Sequence, residues 1–180
     1  MDRVRRLVVA LVVLVVAGLV VLVVVVRPGL RETADRVDRT WKPLVAPLDA
    51  RYQALTGLRD ALNAAGVGNR TVVVALTKRL GDWTIASTGT DVEAQVTIAN
   101  QLEALAARAD ALVRTPRLLQ NPALTAAFQN FTKTQPQKRL LDTYNRRVVR
   151  YQGDRDGFWS RIVAHLDGYE MRPTLQLVTA

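Results

Sequence analysis

Hydrophobic and polar positions follow two regimes along this chain. From Leu7 to Val26, twenty consecutive residues are Val, Leu, Ala or Gly, with no polar side chain; beyond them, apolar residues recur every three or four positions among charged ones. At about 1.5 Å rise per residue the first run reaches roughly 30 Å, the thickness of a bilayer's hydrocarbon core, which predicts a spanning helix. Valine is a mediocre helix former in water, but lipid offers the backbone no other partner. Arg3, Arg5 and Arg6 ahead of the run also suit a cleaved secretory signal. That reading fits less well, because the apolar stretch is too long and Val24-Val25-Val26-Arg27-Pro28 lacks small residues at cleavage-site spacing. Residues 1–6 are therefore read as a short basic tail and 7–26 as an uncleaved anchor. Pro28-Gly29 is expected to end the anchor, leaving 27–40 as a polar juxtamembrane spacer.

The second regime predicts an all-α domain over 41–170. Leu44, Leu48, Tyr52, Leu55, Leu58 and Leu62 form one helical stripe, with Pro43 and Pro47 expected at its start and Gly66 and Gly68 at its end. Thr71 to Trp83 is ambiguous: Val72-Val73-Val74 favours a strand, whereas Val73, Leu76, Leu80 and Trp83 keep helical spacing. Helix is the better reading, since the alternative hairpin would stand alone in a helical chain. Thr90 and Glu93 have capping-box spacing and open a helix through Val92, Val96, Ala99, Leu102, Leu105 or Ala106, Ala109 and Leu112, which Pro116 stops. Asn121-Pro122 opens a short helix to about Phe131. The last long helix carries Leu141, Tyr144, Val148, Tyr151, Arg155, Phe158 and Ile162 at heptad spacing, with a bend or break expected near Gly153 and Gly157. Gly168 and Pro173 end the ordered domain and leave a tail over 171–180. The expected architecture is an antiparallel bundle of long helices on a membrane anchor.

Composition narrows the chemistry. With no cysteine, one histidine and two serines, thiol nucleophiles and cysteine-ligated metals are excluded. Ser160 and His165 lie five residues apart, about 140° round a helix, so they make a poor dyad. His165 with Asp167 and Glu170 reads as a helix end rather than a metal site, and Gly66 to Thr71 as a helix cap rather than a phosphate loop, lacking its lysine. No catalytic residue, cofactor or metal is expected. Charge is more informative: the formal net charge is +9, of which residues 28–180 carry +6. Arg146, Arg147 and Arg150 cluster on the last long helix, with Lys138 and Arg139 one to two turns earlier. A solvated helix face is the plainest reading of such a cluster. The functional one is a contact for an acidic partner, an anionic lipid or another polyanion. Nucleic acid is disfavoured, because the only nearby aromatics, Tyr144 and Tyr151, sit in the apolar seam.

Tyr144-Asn145, Val148, Tyr151, Phe158, Ala164, Gly168-Tyr169 and Pro173 resemble the C-terminal signature of the LemA family, YN-x-x-V-x-x-YN-x5-FP followed by an alanine and a GF pair, without a gap. Trp41, Leu44, Leu48, Arg51-Tyr52, Leu55 and Leu58 resemble that family's first helix, downstream of a single spanning segment. The chain departs from the pattern at Gln152, at Trp159 and over Gln53 to Arg59, where the family carries a DLIPNLV-like stretch. The resemblance implies a membrane-anchored helical bundle with no agreed activity or cofactor. Together these readings give an expected role as a single-pass scaffold or protein-interaction module of the bacterial cell envelope, in the plasma membrane through residues 7–26, with an unidentified protein partner. The alternative is a membrane-associated module binding anionic lipid or polymer through Arg146, Arg147 and Arg150. Arginines flank the anchor almost equally; the expected orientation has the domain outside, although LemA relatives have also been placed on the cytoplasmic side. Oligomeric state stays open.

Overall fold

The computed structural model describes residues 2–177, so Met1 of the basic tail and 178–180 of the expected C-terminal tail lie outside the described residues. The helices are α1 (Asp2–Val21), a π-helical turn (Leu22–Val26), α2 (Arg27–Ala64), α3 (Thr71–Ala86), α4 (Val92–Val113), α5 (Pro116–Leu119), α6 (Pro122–Lys133), α7 (Lys138–Arg155) and α8 (Phe158–Asp167), and no strand occurs among the described residues. The ambiguous second segment is therefore helical, with Val73, Leu76, Leu80 and Trp83 all buried. The chain divides into two compact units, one of residues 1–37 with 146–172 and one of residues 38–145 with 173–180.

Helix continues where Pro28-Gly29 was expected to end it, and residues 27–40 are α-helical rather than an irregular spacer. The π-helical turn explains this: Pro28 brings no N–H at a place where the i to i−4 ladder is already interrupted, so the ring costs little there. Pro43 and Pro47 consequently lie inside α2 rather than at its start. Pro43 is on the exposed side, away from the stripe that packs.

In the larger unit the expected stripe Leu44, Leu48, Tyr52, Leu55, Leu58 and Leu62 is buried to the last residue. Trp41 meets Gln95, Tyr52 meets Ala99 and Arg51 meets Glu103, so α2 and α4 run in the same direction, while Trp83 against Asp49 returns α3 the opposite way. Gly66, at φ 75°, closes α2 as a left-handed cap, with Val67 N–H donating to Leu62 O at 3.2 Å and Gly66 N–H to Asn63 O at 3.0 Å. The N-cap of α4 is Asp91, whose carboxylate accepts from Ala94 N–H at 3.0 Å, one residue beyond the expected Thr90. Asn121 caps α6 as expected, accepting from Ala123 and Leu124 N–H.

The expected C-terminal tail is not loose where it is described. In the larger unit Leu175 is buried, and Asn145 clamps it by donating to its carbonyl and accepting from its N–H, both at 2.9 Å. Asn100 does the same to Thr174 O at 2.8 Å and Gln176 N–H at 2.9 Å, and Tyr144 OH donates to Pro173 O. In the smaller unit Tyr151 OH donates to Glu170 O, Gln152 to Arg172 O and Arg155 to Tyr169 O. The interior of this unit contains Leu30, Ala34, Val37, Val148, Tyr151, Val163 and Ala164. The break expected near Gly153 and Gly157 falls at Asp156-Gly157, after which the heptad phase is lost: Phe158 and Ile162 are exposed, not core.

Candidate functional site

Helix α7 sorts its residues by angle. Tyr144, Val148 and Tyr151 fall within about 60° of one another and are buried. Arg146 and Arg150, one turn apart, and Arg147 between them occupy an arc of about 100° centred well away from that stripe. Arg146 and Arg150 are exposed and Arg147 is half-buried. None of the three takes part in the ion pairs found among the described residues. Sequence had singled them out, and the structure brings them to one outward face, an arrangement suited to an extended anionic surface. Guanidinium groups offer planar, multidentate donors to carboxylates and phosphates.

The sequence candidates for chemistry do not converge. Ser160 is half-buried and His165 exposed on another side of α8. Asp167 is held by Arg27 in a two-pronged ion pair, Nε to Oδ2 at 2.7 Å and Nη2 to Oδ1 at 3.0 Å. No group of three or more acidic or histidine side chains is placed to hold a metal among the described residues. The Gly66 to Thr71 segment is the cap of α2 followed by the start of α3. A cleft of about 270 Å³ lies beside Asp49, Tyr52, Gln53, Trp83 and Ser87, but its one carboxylate already accepts from Trp83 Nε1 at 2.7 Å.

The strongest electrostatic feature was not anticipated. Arg51 and Glu103 are buried at 0% and 1% exposure and meet in a two-pronged pair, Nε to Oε1 at 2.7 Å and Nη2 to Oε2 at 2.8 Å. Nη1 also donates to Phe131 O at 3.3 Å and Thr134 O at 3.4 Å, and the guanidinium lies 4.0 Å above the Phe131 ring. The signal was present in the periodicity. Arg51 is three residues after Leu48 and four before Leu55; Glu103 is four after Ala99 and three before Ala106, so both charges occupy stripe positions. A buried pair of this kind ties α2 to α4 at one register, and losing either partner would leave the other charge buried and uncompensated.

Tyr52, well outside the apolar segment, lies next to this pair and donates to Ala99 O at 3.3 Å. Burial, followed by the field of the Glu103 carboxylate, pushes its hydroxyl well above the ordinary tyrosine value. Because the folded state holds this proton more tightly than the unfolded chain, the associated stability is complete below pH of about 10 and is lost as pH rises beyond it. Tyr52→Phe is expected to flatten the decline of the thermal midpoint above that pH, at a neutral-pH cost of about 1 kcal/mol for the lost hydrogen bond. Melting curves of both proteins across the alkaline range check this; parallel declines would contradict it.

Compared with protein-family models, curated proteins and solved structures, the chain gives no match.

Proposed function

We propose that this chain is a single-pass, membrane-anchored helical scaffold or protein-interaction module of the bacterial cell envelope, LemA-like in plan, with no catalytic activity of its own and with its larger domain outside the plasma membrane. Two features support the reading. One helix is long and apolar enough to cross a membrane, and its Val and Leu side chains from Leu7 to Val20 are 53–71% exposed, with no protein surface covering them. The observation that carries the interaction role is the outward arginine arc of α7, charged, outside the ion pairs found among the described residues and mounted on a helix whose other side is locked into the core. Such a face recruits an acidic partner at little conformational cost, because its backbone is already fixed.

Charge reversal tests it. The Arg146→Glu, Arg150→Glu double variant is expected to lose recovery of partners in a pull-down from membranes while keeping its helical circular dichroism. Undiminished recovery would overturn the arginine-arc role. A second reading is favoured by the arc belonging to the same compact unit as the apolar helix: its anion would then be a lipid headgroup. In that case wild type, but not the double variant, shows extra protection of α7 amides from exchange in anionic over neutral vesicles, and high salt abolishes the difference.

A further inference from the structure

Helix α8 is amphipathic in a way the fold does not use. Val163 and Ala164 turn inward and are buried, whereas Phe158 and Leu166 are 74% and 70% exposed and Trp159 and Ile162 are exposed beside them. On a helix these four outer residues share an arc of about 100°. A contiguous apolar face of that kind marks a surface that is covered by something other than water.

What covers it follows from where α8 lies within its own unit. The helix rests against the π-helical turn, and the Trp159 ring lies over Gly18, where a Cβ would come within 3.7 Å of its Cη2 atom. Gly18 is the one glycine in the twenty-residue apolar run. At the other end of α8, the Arg27–Asp167 ion pair fixes the helix at the first charged residue beyond that run. Near its start, Ser160 of α8 shares a cleft with Val25, Val26 and Gly29, so both ends of the helix lie at the end of the apolar run and the Trp159 side chain reaches back along it to Gly18. The outer face of α8 therefore borders the same medium as Val24 and Val25, which are themselves exposed. Apart from Gly18 under Trp159, residues 5–20 are exposed all the way round α1, as lipid on every side requires.

We propose that α8 is a membrane-embedded interfacial helix, with Phe158, Ile162 and Leu166 in the lipid alongside the last turns of the anchor and Trp159 wedged against Gly18. An interfacial helix sinks its apolar face into the headgroup and acyl boundary by about 5–10 Å, and from there the Trp159 side chain reaches deeper, to Gly18. Arg27 and Asp167 mark the edge where the aqueous phase begins. The inference rests on the membrane-anchored reading, and adds that the chain touches the bilayer at two places far apart in sequence.

The absence of cysteine allows single spin labels. Phe158→Cys and Leu166→Cys, with Leu14→Cys for the anchor and Thr88→Cys in the exposed turn after α3, would each be introduced into the full chain in vesicles of phosphatidylethanolamine and phosphatidylglycerol. Labels at 158 and 166 are expected to show a several-fold higher ratio of oxygen to water-soluble nickel-chelate collisions than at 88, below the ratio at 14. Nickel access at 158 and 166 with 14 protected would overturn the α8 assignment and leave the anchor standing. Nickel access at 14 as well would overturn both. Exclusion of both reagents, with dipolar broadening relieved by unlabelled chain, would replace lipid by a second copy on this face.

Discussion

Glu103→Gln is expected to be the most damaging conservative substitution in the larger unit. It keeps the shape of the side chain and removes only the charge that compensates Arg51, leaving a guanidinium with no exposed surface beside a neutral amide. Breaking a buried pair by one partner costs about 3–5 kcal/mol, which for a domain of this size lowers the melting temperature by roughly 6–20 °C. The Arg51→Met, Glu103→Leu double variant should recover most of that loss, because the desolvation of both charges disappears with them. Phe131 O would not be orphaned, since it also accepts from Thr134 N–H and Thr134 Oγ1. Thermal unfolding in micelles, followed by circular dichroism, measures both. A Glu103→Gln loss of under about 1 kcal/mol would mean that water reaches the pair and that it behaves as a surface bridge.

The same pair explains what periodicity alone leaves undecided. A stripe such as Leu44, Leu48, Leu55, Leu58 and Leu62 states that α2 is helical and which side is buried, and the structure agrees at each position. It does not state which partner helix faces it or in what register, because leucine packs acceptably one turn away. A charge at a stripe position does: Arg51 is satisfied only where Glu103 of α4 and the last carbonyls of α6 converge. Gln95 works similarly at the other end, accepting from Trp41 and donating to Ala86 O and Gly89 O, so that it ties α2 to the turn between α3 and α4.

Other elements were illegible for definite reasons. Helix breakers read from sequence assume an α-helical ladder, and at Pro28 the ladder is already π-helical. Heptad counting assumes an unbroken helix; crossing Asp156-Gly157 resets the phase, which turned Phe158 and Ile162 from expected core into exposed surface. The arginine arc was legible because it needs only the helical angle within one uninterrupted segment of α7. The face of α8 was not, because its meaning depends on Trp159 reaching Gly18, a contact between residues 141 positions apart.

The C-terminal segment had no periodicity to betray it, and its hold on the larger unit gives the second large effect. Leu175→Ala is expected to cost about 2–5 kcal/mol, the range for deleting a buried leucine side chain. The polar half of the clamp can be tested separately. Asn145→Asp preserves the acceptor for Leu175 N–H but sets a carboxylate oxygen against Leu175 O in place of a donor, at an expected cost of about 1–3 kcal/mol. Asn100→Asp makes the same change against Thr174 O. Amide exchange distinguishes the two halves: Leu175→Ala should lower protection throughout the larger unit, whereas either aspartate should first release the N–H groups of Leu175 and Gln176, the ones the asparagines accept. Tyr144 and Asn145 would then be doing two tasks from adjacent positions of α7. The tyrosine ring packs 5.1 Å from Trp41 in the core while its hydroxyl and the neighbouring amide hold residues 173–175 down. Were Leu175→Ala to cost less than about 1 kcal/mol, the hydrogen bonds rather than the apolar contact would be what keeps this segment in place.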